Sequence, residues 1–239
     1  MLRVLRAEER YRGGDPAAGI DTRHVFSFGD FYDPDNARFG PLTACNEERL
    51  APGAGFAPHP HRDVEIVSWV VEGELTHEDA AGRATVLAPG DVQRLTAGSG
   101  TTHAERNAGP APLRFVQMWL IPDLVGGAPE YEVVRGIADG TPYALPRTDA
   151  VLHVRRLGED ERTAVPAAPL AHVQVVRGAV LLDGEGGGAD PGGATLLSTG
   201  DSARLRDAGE RAVRAEGGPA ELLVWELRAQ SRGRRWQPA

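Results

Sequence analysis

The chain has 239 residues, enough for one large β domain or two smaller ones, and its formal charge of −8 argues against nucleic acid or an anionic membrane as a main partner. All 26 basic residues are arginine, which excludes Schiff-base lysine chemistry and a phosphate-binding P-loop. One cysteine cannot form an internal disulfide, and the first residues lack the long apolar run of a signal peptide. We therefore expect a cytoplasmic protein without a membrane span.

Short strands separated by turns are predicted along most of the chain, beginning with Leu2–Leu5. A turn-rich loop at residues 30–40 lies next to an aromatic cluster, which either packs in the core or covers a pocket. The cluster consists of Phe26, Phe28, Phe31 and Tyr32. From residue 42 onward hairpins follow at short intervals, with strands predicted at residues 65–71, 84–87, 92–95 and 113–121. Without a convincing helix pattern, the sequence predicts an all-β fold of antiparallel jelly-roll barrels.

Two polar clusters interrupt this pattern, His59-Pro60-His61 and His103-Ala104-Glu105. Side chains at i and i+2 of a strand point to the same face, so each cluster presents a pair of potential ligands on one face. If the two segments are neighbours in a barrel, three imidazoles and one carboxylate converge on one point. Four such ligands suit a divalent transition metal and leave two positions of an octahedral ion open. The only cysteine is Cys45, so a thiolate-based site is not expected.

Glu65 competes with Glu105 for the role of carboxylate ligand. It lies four residues after His61, about 13 Å along a straight strand, and no glycine or proline between them would turn the chain back. Glu105 shares a face with the histidine of its own cluster and is the predicted ligand. His77 is interpreted as a surface or barrel-wall residue rather than a ligand. Gln117, a polar residue in an apolar strand, is a candidate partner for a ligand side chain.

The spacing of Gly53, His59, His61 and Glu65 resembles the first motif of the cupin superfamily, and His103 with Asn107 is similar to the end of its second motif. Within the cupins, the segments FSFGDFYDPDNARFGPL, GFAPHPHRDVEIVSWVVEGELTHED, PGDVQRLTAGSGTTHAE and QMWLIP resemble the pirin family. The resemblance is close over residues 24–122 and loose beyond them. It implies a cupin fold, with a metal held by His59, His61, His103 and Glu105.

The second half of the chain repeats the first. Residues 70–73 (VVEG) recur as residues 175–178 (VVRG), and residues 89–91 (PGD) recur as residues 199–201 (TGD), with the extra length placed in a loop at residues 183–193. We expect two tandem barrels, a bicupin, with a metal-binding unit at residues 1–130 and a second unit at residues 131–239. At the positions equivalent to the four predicted ligands the second copy has Ala164, Pro166, Val213 and Ala215. It is therefore expected to lack the metal, and the polar tail beyond residue 228 is expected to be solvated.

The resemblance implies a dioxygenase that uses one divalent metal, Fe(II) as the first choice and Cu, Ni, Mn, Co or Zn as alternatives, with O2 and a small aromatic substrate. A flavonol such as quercetin is the type of substrate implied, with Glu105 as catalytic base. The alternative is a metal-containing, redox-responsive regulatory protein that binds another protein. A third hypothesis is a cupin isomerase or sugar-binding module without oxygen chemistry. A monomer is expected, because closed barrels have few free edges.

Overall fold

A computed structural model describes residues 1–184, 193–209 and 211–228. The first strands along the chain are β1 (Leu2–Leu5), β2 (Tyr11–Asp15), β3 (Ile20–His24), β4 (Leu42–Leu50), β5 (Gly55–His61), β6 (Glu65–Glu72), β7 (Leu75–Asp79), β8 (Ala84–Leu87), β9 (Val92–Thr96), β10 (Thr101–Arg106), β11 (Leu113–Leu120) and β12 (Glu130–Val134). They are followed by β13 (Pro142–Ala144), β14 (Ala150–Leu157), β15 (Arg162–Val165), β16 (Ala168–Arg177), β17 (Ala179–Leu182), β18 (Thr195–Ser198), β19 (Ser202–Ala208), β20 (Arg211–Ala215) and β21 (Ala220–Leu227). Short 3-10 helices lie at Ala7–Glu9, Pro16–Ala18 and Pro34–Asn36.

The strands form two similar units, each with a large sheet and a four-stranded sheet. In the first unit the large sheet has the order β12-β9-β6-β11-β4-β3-β2, and the small sheet has the order β5-β10-β7-β8. In the second unit the orders are β1-β19-β16-β21-β14-β13 and β15-β20-β17-β18. Neighbouring strands are antiparallel, as in β10 with β5 and in β16 with β21. The predicted all-β bicupin architecture is confirmed.

Strand β11 shows how one sequence serves two cores. Leu113 and Phe115 are buried in the apolar cluster between the two sheets of the first unit. Val116 and Met118 point the other way and are buried in a cluster shared by the two large sheets. Because side chains alternate along a strand, Gln117 lies on the inner face with Phe115. The large sheets therefore pack back to back, and the interior of each unit lies on their outer sides.

The repeat noticed in the sequence marks equivalent turns in the two units. Gly73 and Gly178 follow β6 and β16 with φ angles of 76° and 75°, a left-handed conformation that favours glycine. A Cβ atom at Gly73 would lie 2.5 Å from the carbonyl oxygen of Pro112, and one at Gly178 would lie 2.3 Å from that of Pro219. The same close approach of two backbone segments thus recurs in both copies, which explains why VVEG and VVRG both end in glycine.

Residues 122–149 are rich in glycine and proline and carry little sequence pattern, but they contain β12 and β13. Strand β12 pairs with β9 of the first unit, with Tyr131 opposite Leu95. Strand β1, from the start of the chain, pairs with β19 of the second unit, with Leu2 opposite Leu205. The division of the chain at residue 130 stays a prediction. Strand β12 starts at this boundary but pairs with the sheet of the first unit, whereas β1 lies before the boundary and pairs with the sheet of the second unit.

Two expectations concern segments outside the described residues: most of the loop at 183–193, and the tail beyond residue 228. In the described ranges, none of the helices has the length and apolar character needed to cross a bilayer.

Candidate metal centre

The two predicted motifs lie side by side on β5 and β10 of the small sheet. Strand β5 is the edge strand, where Pro60 is tolerated because an outward-facing N–H need not be paired. His59 lies opposite His103 in the strand register, and their ring centroids are 4.6 Å apart. The rings of His61 and His103 are 4.9 Å apart. One ring nitrogen from each of the three histidines lies within 4.8 Å of the others, so the predicted convergence of imidazoles is present.

The nitrogen atoms at this point are suited to a cation. The Nε2 atoms of His61 and His103 are buried and have no hydrogen-bond partner. In His59, Nδ1 lies 2.8 Å from the carbonyl oxygen of Ala57, which can only accept, so Nδ1 carries the proton and Nε2 keeps its lone pair. Burial, with a smaller effect of His59, lowers the pKa of His61 to about 4. Burial and the neighbouring imidazoles lower the pKa of His103 to about 2, so both rings are neutral at pH 7.

Glu105 lies beside this group, 1% exposed, with both carboxylate oxygens hydrogen-bonded. The amide of Gln117 donates to Oε2 at 2.6 Å, and the amide of Gln93 donates to Oε1 at 3.1 Å. Burial raises the pKa of Glu105, and these two amide donors act in the opposite direction. An oxygen of Glu105 lies within 4.8 Å of ring nitrogens of both His103 and His77. These three residues form a second potential ligand group, which shares His103 with the group of three histidines described above. Gln117 thus contacts Glu105, the carboxylate that the sequence predicts to be a ligand.

His77 is buried within the barrel wall at 2% exposure, so the surface position allowed by the sequence is wrong. Its Nδ1 lies 3.2 Å from Nδ1 of His103. Only one of two neutral nitrogens in such a contact can carry the proton. If Nε2 of His103 binds a metal, Nδ1 of His103 must be the donor, and His77 accepts. His77 therefore supports a candidate ligand.

The rival carboxylate, Glu65, does not share this site. Its oxygens accept hydrogen bonds from the hydroxyls of Thr96, at 3.1 Å, and Thr148. It is fully buried, and burial raises its pKa against the effect of these hydrogen bonds. Side chains alternate between the two faces of a strand, and Ile66 is on the inner face of β6. The side chain of Glu65, the neighbouring residue, therefore points to the opposite face of the sheet. Of its two partners, Thr96 lies on β9 and Thr148 lies in the connection between the units.

A cavity of about 500 Å³ opens beside His77 and His103. Its wall includes Tyr131, whose ring stacks on His77 with centroids 4.5 Å apart and an interplanar angle of 19°. The Tyr131 hydroxyl donates to Oε1 of Gln93 at 3.0 Å. The sequence did not single out Tyr131 or Gln93. The signal for Gln93 was the same as for Gln117, a polar residue inside a buried strand.

The aromatic cluster near residue 30 is partly buried in the core, which was one of the two roles that the sequence left open. Phe26 is fully buried in the core, whereas Tyr32 is 81% exposed. Phe28 contacts Trp119 edge-on at 5.0 Å, and Trp119 in turn contacts the ring of His61 at 5.0 Å. A row of aromatic rings therefore leads from this loop to one of the histidines.

The chain is similar in sequence and in structure to several known proteins. The sequence profile of the pirin family matches residues 5–120. A Mycobacterium tuberculosis protein, provisionally named a quercetin 2,3-dioxygenase, is 41% identical over 228 residues, covering 88% of this chain and 89% of its own. The quercetin 2,3-dioxygenase of Escherichia coli K12 is 30% identical over 241 residues, covering 95% and 99%. The crystal structure of the E. coli bacterial pirin YhhW in complex with nickel(II) superposes with a TM-score of 0.85 at 29% identity, covering 96% of this chain and all of that one.

Proposed function

This chain belongs to the pirin family, and from that premise we propose that it is a metal-dependent dioxygenase acting on a flavonol such as quercetin or a similar enolic aromatic. The observation that carries the proposal is the pair of buried, unpartnered Nε2 atoms of His61 and His103, next to the ionisable carboxylate of Glu105. A buried polar atom without a partner costs free energy, about 1–3 kcal/mol, unless something binds to it. A divalent cation would satisfy both nitrogens.

The proposed ligands are His59, His61, His103 and Glu105. Three imidazoles and one carboxylate suit Fe(II), our first choice, and also Cu, Ni, Mn, Co or Zn. The nickel(II) in the structure of the related bacterial pirin is compatible with a broad preference of this type of site. Glu105 reaches the group from the side of His103 and His77, and its two oxygens each retain lone pairs beyond the amide bonds.

When bound, the ion supplies Lewis acidity toward an enolic oxygen of the substrate and an electron donor for reaction with O2. Glu105 would accept the enolic proton as general base, because its carboxylate lies beside the proposed ligand histidines and its oxygens keep lone pairs beyond the two amide hydrogen bonds. The proton goes to Oε1, which has the longer hydrogen bond, 3.1 Å from Gln93, against 2.6 Å between Gln117 and Oε2. His77 keeps the His103 ring oriented throughout.

The cavity supports a small-molecule substrate over the regulatory alternative. Its volume of about 500 Å³ lies within the range of about 300–1,000 Å³ that is usual for ligand pockets. A pocket too small for an aromatic molecule would instead have favoured a role in binding another protein. The stacked pair of Tyr131 and His77 offers a flat aromatic wall to a planar ligand.

Protein loaded with Fe(II) and given quercetin in air should deplete the flavonol absorbance with consumption of O2. His61→Ala should abolish this activity, whereas His153→Ala, a change in the second unit, should leave it intact. If the wild-type protein fails to turn over quercetin and related flavonols with each of the six metals, the proposed substrate class is wrong.

A further inference from the structure

Each carboxylate oxygen of Glu105 is held by a glutamine whose other end is held by an aromatic side chain. Gln117 donates to Oε2, and its own Oε1 accepts from the indole nitrogen of Trp119 at 2.9 Å. Gln93 donates to Oε1 of Glu105, and its own Oε1 accepts from the Tyr131 hydroxyl at 3.0 Å. Two chains of two hydrogen bonds therefore end on one carboxylate.

The chemistry of the end groups determines the direction of both chains. An indole N–H can only donate, so Trp119 requires the oxygen of Gln117 and turns its amide nitrogen toward Glu105. On the other side an ionised carboxylate can only accept, so Gln93 must present its nitrogen to Glu105 and its oxygen to Tyr131. The amide orientations thus follow from the donors and acceptors around them.

The same two aromatic side chains also contact the histidines through their rings. Trp119 meets the ring of His61 at 5.0 Å with an interplanar angle of 86°, an edge-to-face contact. Tyr131 stacks on His77, and His77 contacts Nδ1 of His103. Each aromatic side chain thus contacts a histidine or its partner with its ring, and a glutamine with its polar atom.

We propose that Trp119 and Tyr131 are positioning residues of the metal centre. Both set the orientation of Glu105 through a glutamine, and with their rings Trp119 orients His61 directly and Tyr131 orients His103 through His77. This inference rests on the metal centre proposed above, but it does not depend on the identity of the substrate. Tyr131 is 38% exposed and lines the cavity, so a ligand that fills the cavity touches a residue that also orients Glu105. Substrate binding and the geometry of the carboxylate are therefore coupled through Tyr131.

The test uses Tyr131→Phe and Trp119→Phe, which remove the hydroxyl or the indole N–H and leave an aromatic ring in place. Co(II) alone is titrated into the metal-free, full-length protein, and both its dissociation constant and its visible absorption spectrum are recorded. Partners that orient metal ligands typically contribute 10–100-fold to metal affinity. We expect each variant to bind Co(II) about 10-fold more weakly, with an altered spectrum.

A double-mutant cycle tests whether Tyr131 acts through Gln93. In a Gln93→Leu background, Tyr131→Phe should weaken Co(II) binding no further, because the chain is already broken. Tyr143→Phe and Trp69→Phe are matched controls, since they remove a hydroxyl and an indole N–H bonded to carboxylates outside the site. Both controls should leave the Co(II) dissociation constant and spectrum unchanged.

Thermal unfolding of each metal-free variant shows whether it is folded, and if Trp119→Phe is not, Tyr131→Phe alone decides the outcome. Wild-type affinity and an unchanged spectrum in folded Tyr131→Phe would overturn the inference and leave the metal centre standing. Failure to oxidise quercetin would refute the proposed substrate without affecting this result, because Co(II) binding needs no substrate. A wild-type protein that binds no Co(II) would overturn both.

Discussion

Two neighbouring glutamates on β4 should respond to pH in opposite directions. Glu48 points into the first unit, 5% exposed, and its Oε2 accepts the hydroxyl of Thr22 at 2.5 Å. Burial raises the pKa of Glu48 from 4.5 to about 8, against the effect of the Thr22 hydrogen bond. Glu47 points toward the second unit and contacts arginines, among them Arg10 at 3.1 Å and Arg114 at 3.1 Å. Burial would raise the pKa of Glu47, but these charges outweigh it and lower the pKa to about 2.

These directions determine the sign of each contribution to stability. Between pH 4.5 and 8 the folded protein keeps the proton on Glu48 while the unfolded chain releases it, so stability falls as the pH rises through this window. At about 1.4 kcal/mol per tenfold change in proton affinity, the loss amounts to about 5 kcal/mol. Glu47 contributes stability above pH 4.5, and this contribution, about 3 kcal/mol, is lost as the pH falls toward 2.

Urea unfolding of the metal-free protein between about pH 3 and pH 8.5 measures these effects. Glu48→Gln keeps an acceptor for Thr22 and removes the ionisation, so it should match the wild type near pH 5 and exceed its stability at pH 8. Glu47→Gln should be less stable than the wild type at pH 7 and gain on it below pH 4.5. If the difference between wild type and Glu48→Gln stays constant from pH 5 to 8, Glu48 does not carry a buried proton and the reasoning is refuted.

Three further changes test the site and the fold. His61→Ala should reduce Ni(II) binding in metal analysis by more than the roughly 10–100-fold that supporting residues contribute, because it removes a ligand. Phe115→Ala, a fully buried ring, should lower the free energy of unfolding in urea by about 3–5 kcal/mol. Gly73→Ala should lower the melting temperature more than Gly82→Ala does. Both glycines have left-handed φ angles, but only at Gly73 would a Cβ atom meet a carbonyl oxygen, at 2.5 Å, while nothing lies within 4 Å at Gly82.

Local periodicity was enough to predict the strands and the faces of the ligand pairs. The spacing of His59 and His61 puts both side chains on one face whatever the surroundings, and the same holds for His103 and Glu105. The choice of Glu105 over Glu65 also followed from local geometry, since Glu65 lies about 13 Å beyond His61 along a straight strand whereas Glu105 is only two residues from His103. In the structure, Glu65 bonds to threonines away from the histidines.

The partners of the ligands depend on strand register, which local spacing does not determine. Strand β7 pairs with β10 so that His77 lies opposite Glu105, and this places the His77 ring against His103. Tyr131 reaches the site because β12 adds to the large sheet beside β9. The sequence around it has many turn residues and reads as a connection, so its pairing appears only once the sheet is assembled. The residues that sequence reasoning missed are therefore those that long-range strand pairing brings to the site.

The duplicated second unit shows why the first can bury so many polar groups. Val213 and Ala215, at the positions equivalent to His103 and Glu105, are fully buried in an apolar cluster between the sheets of the second unit. A buried valine contributes about 1.5–3 kcal/mol, whereas a buried polar group costs about 1–3 kcal/mol when it lacks a partner. Because the two large sheets share a third apolar cluster, the units are joined through a continuous core. Apolar burial in the second copy and at the shared face thus offsets the cost of the polar groups buried at the candidate metal centre in the first.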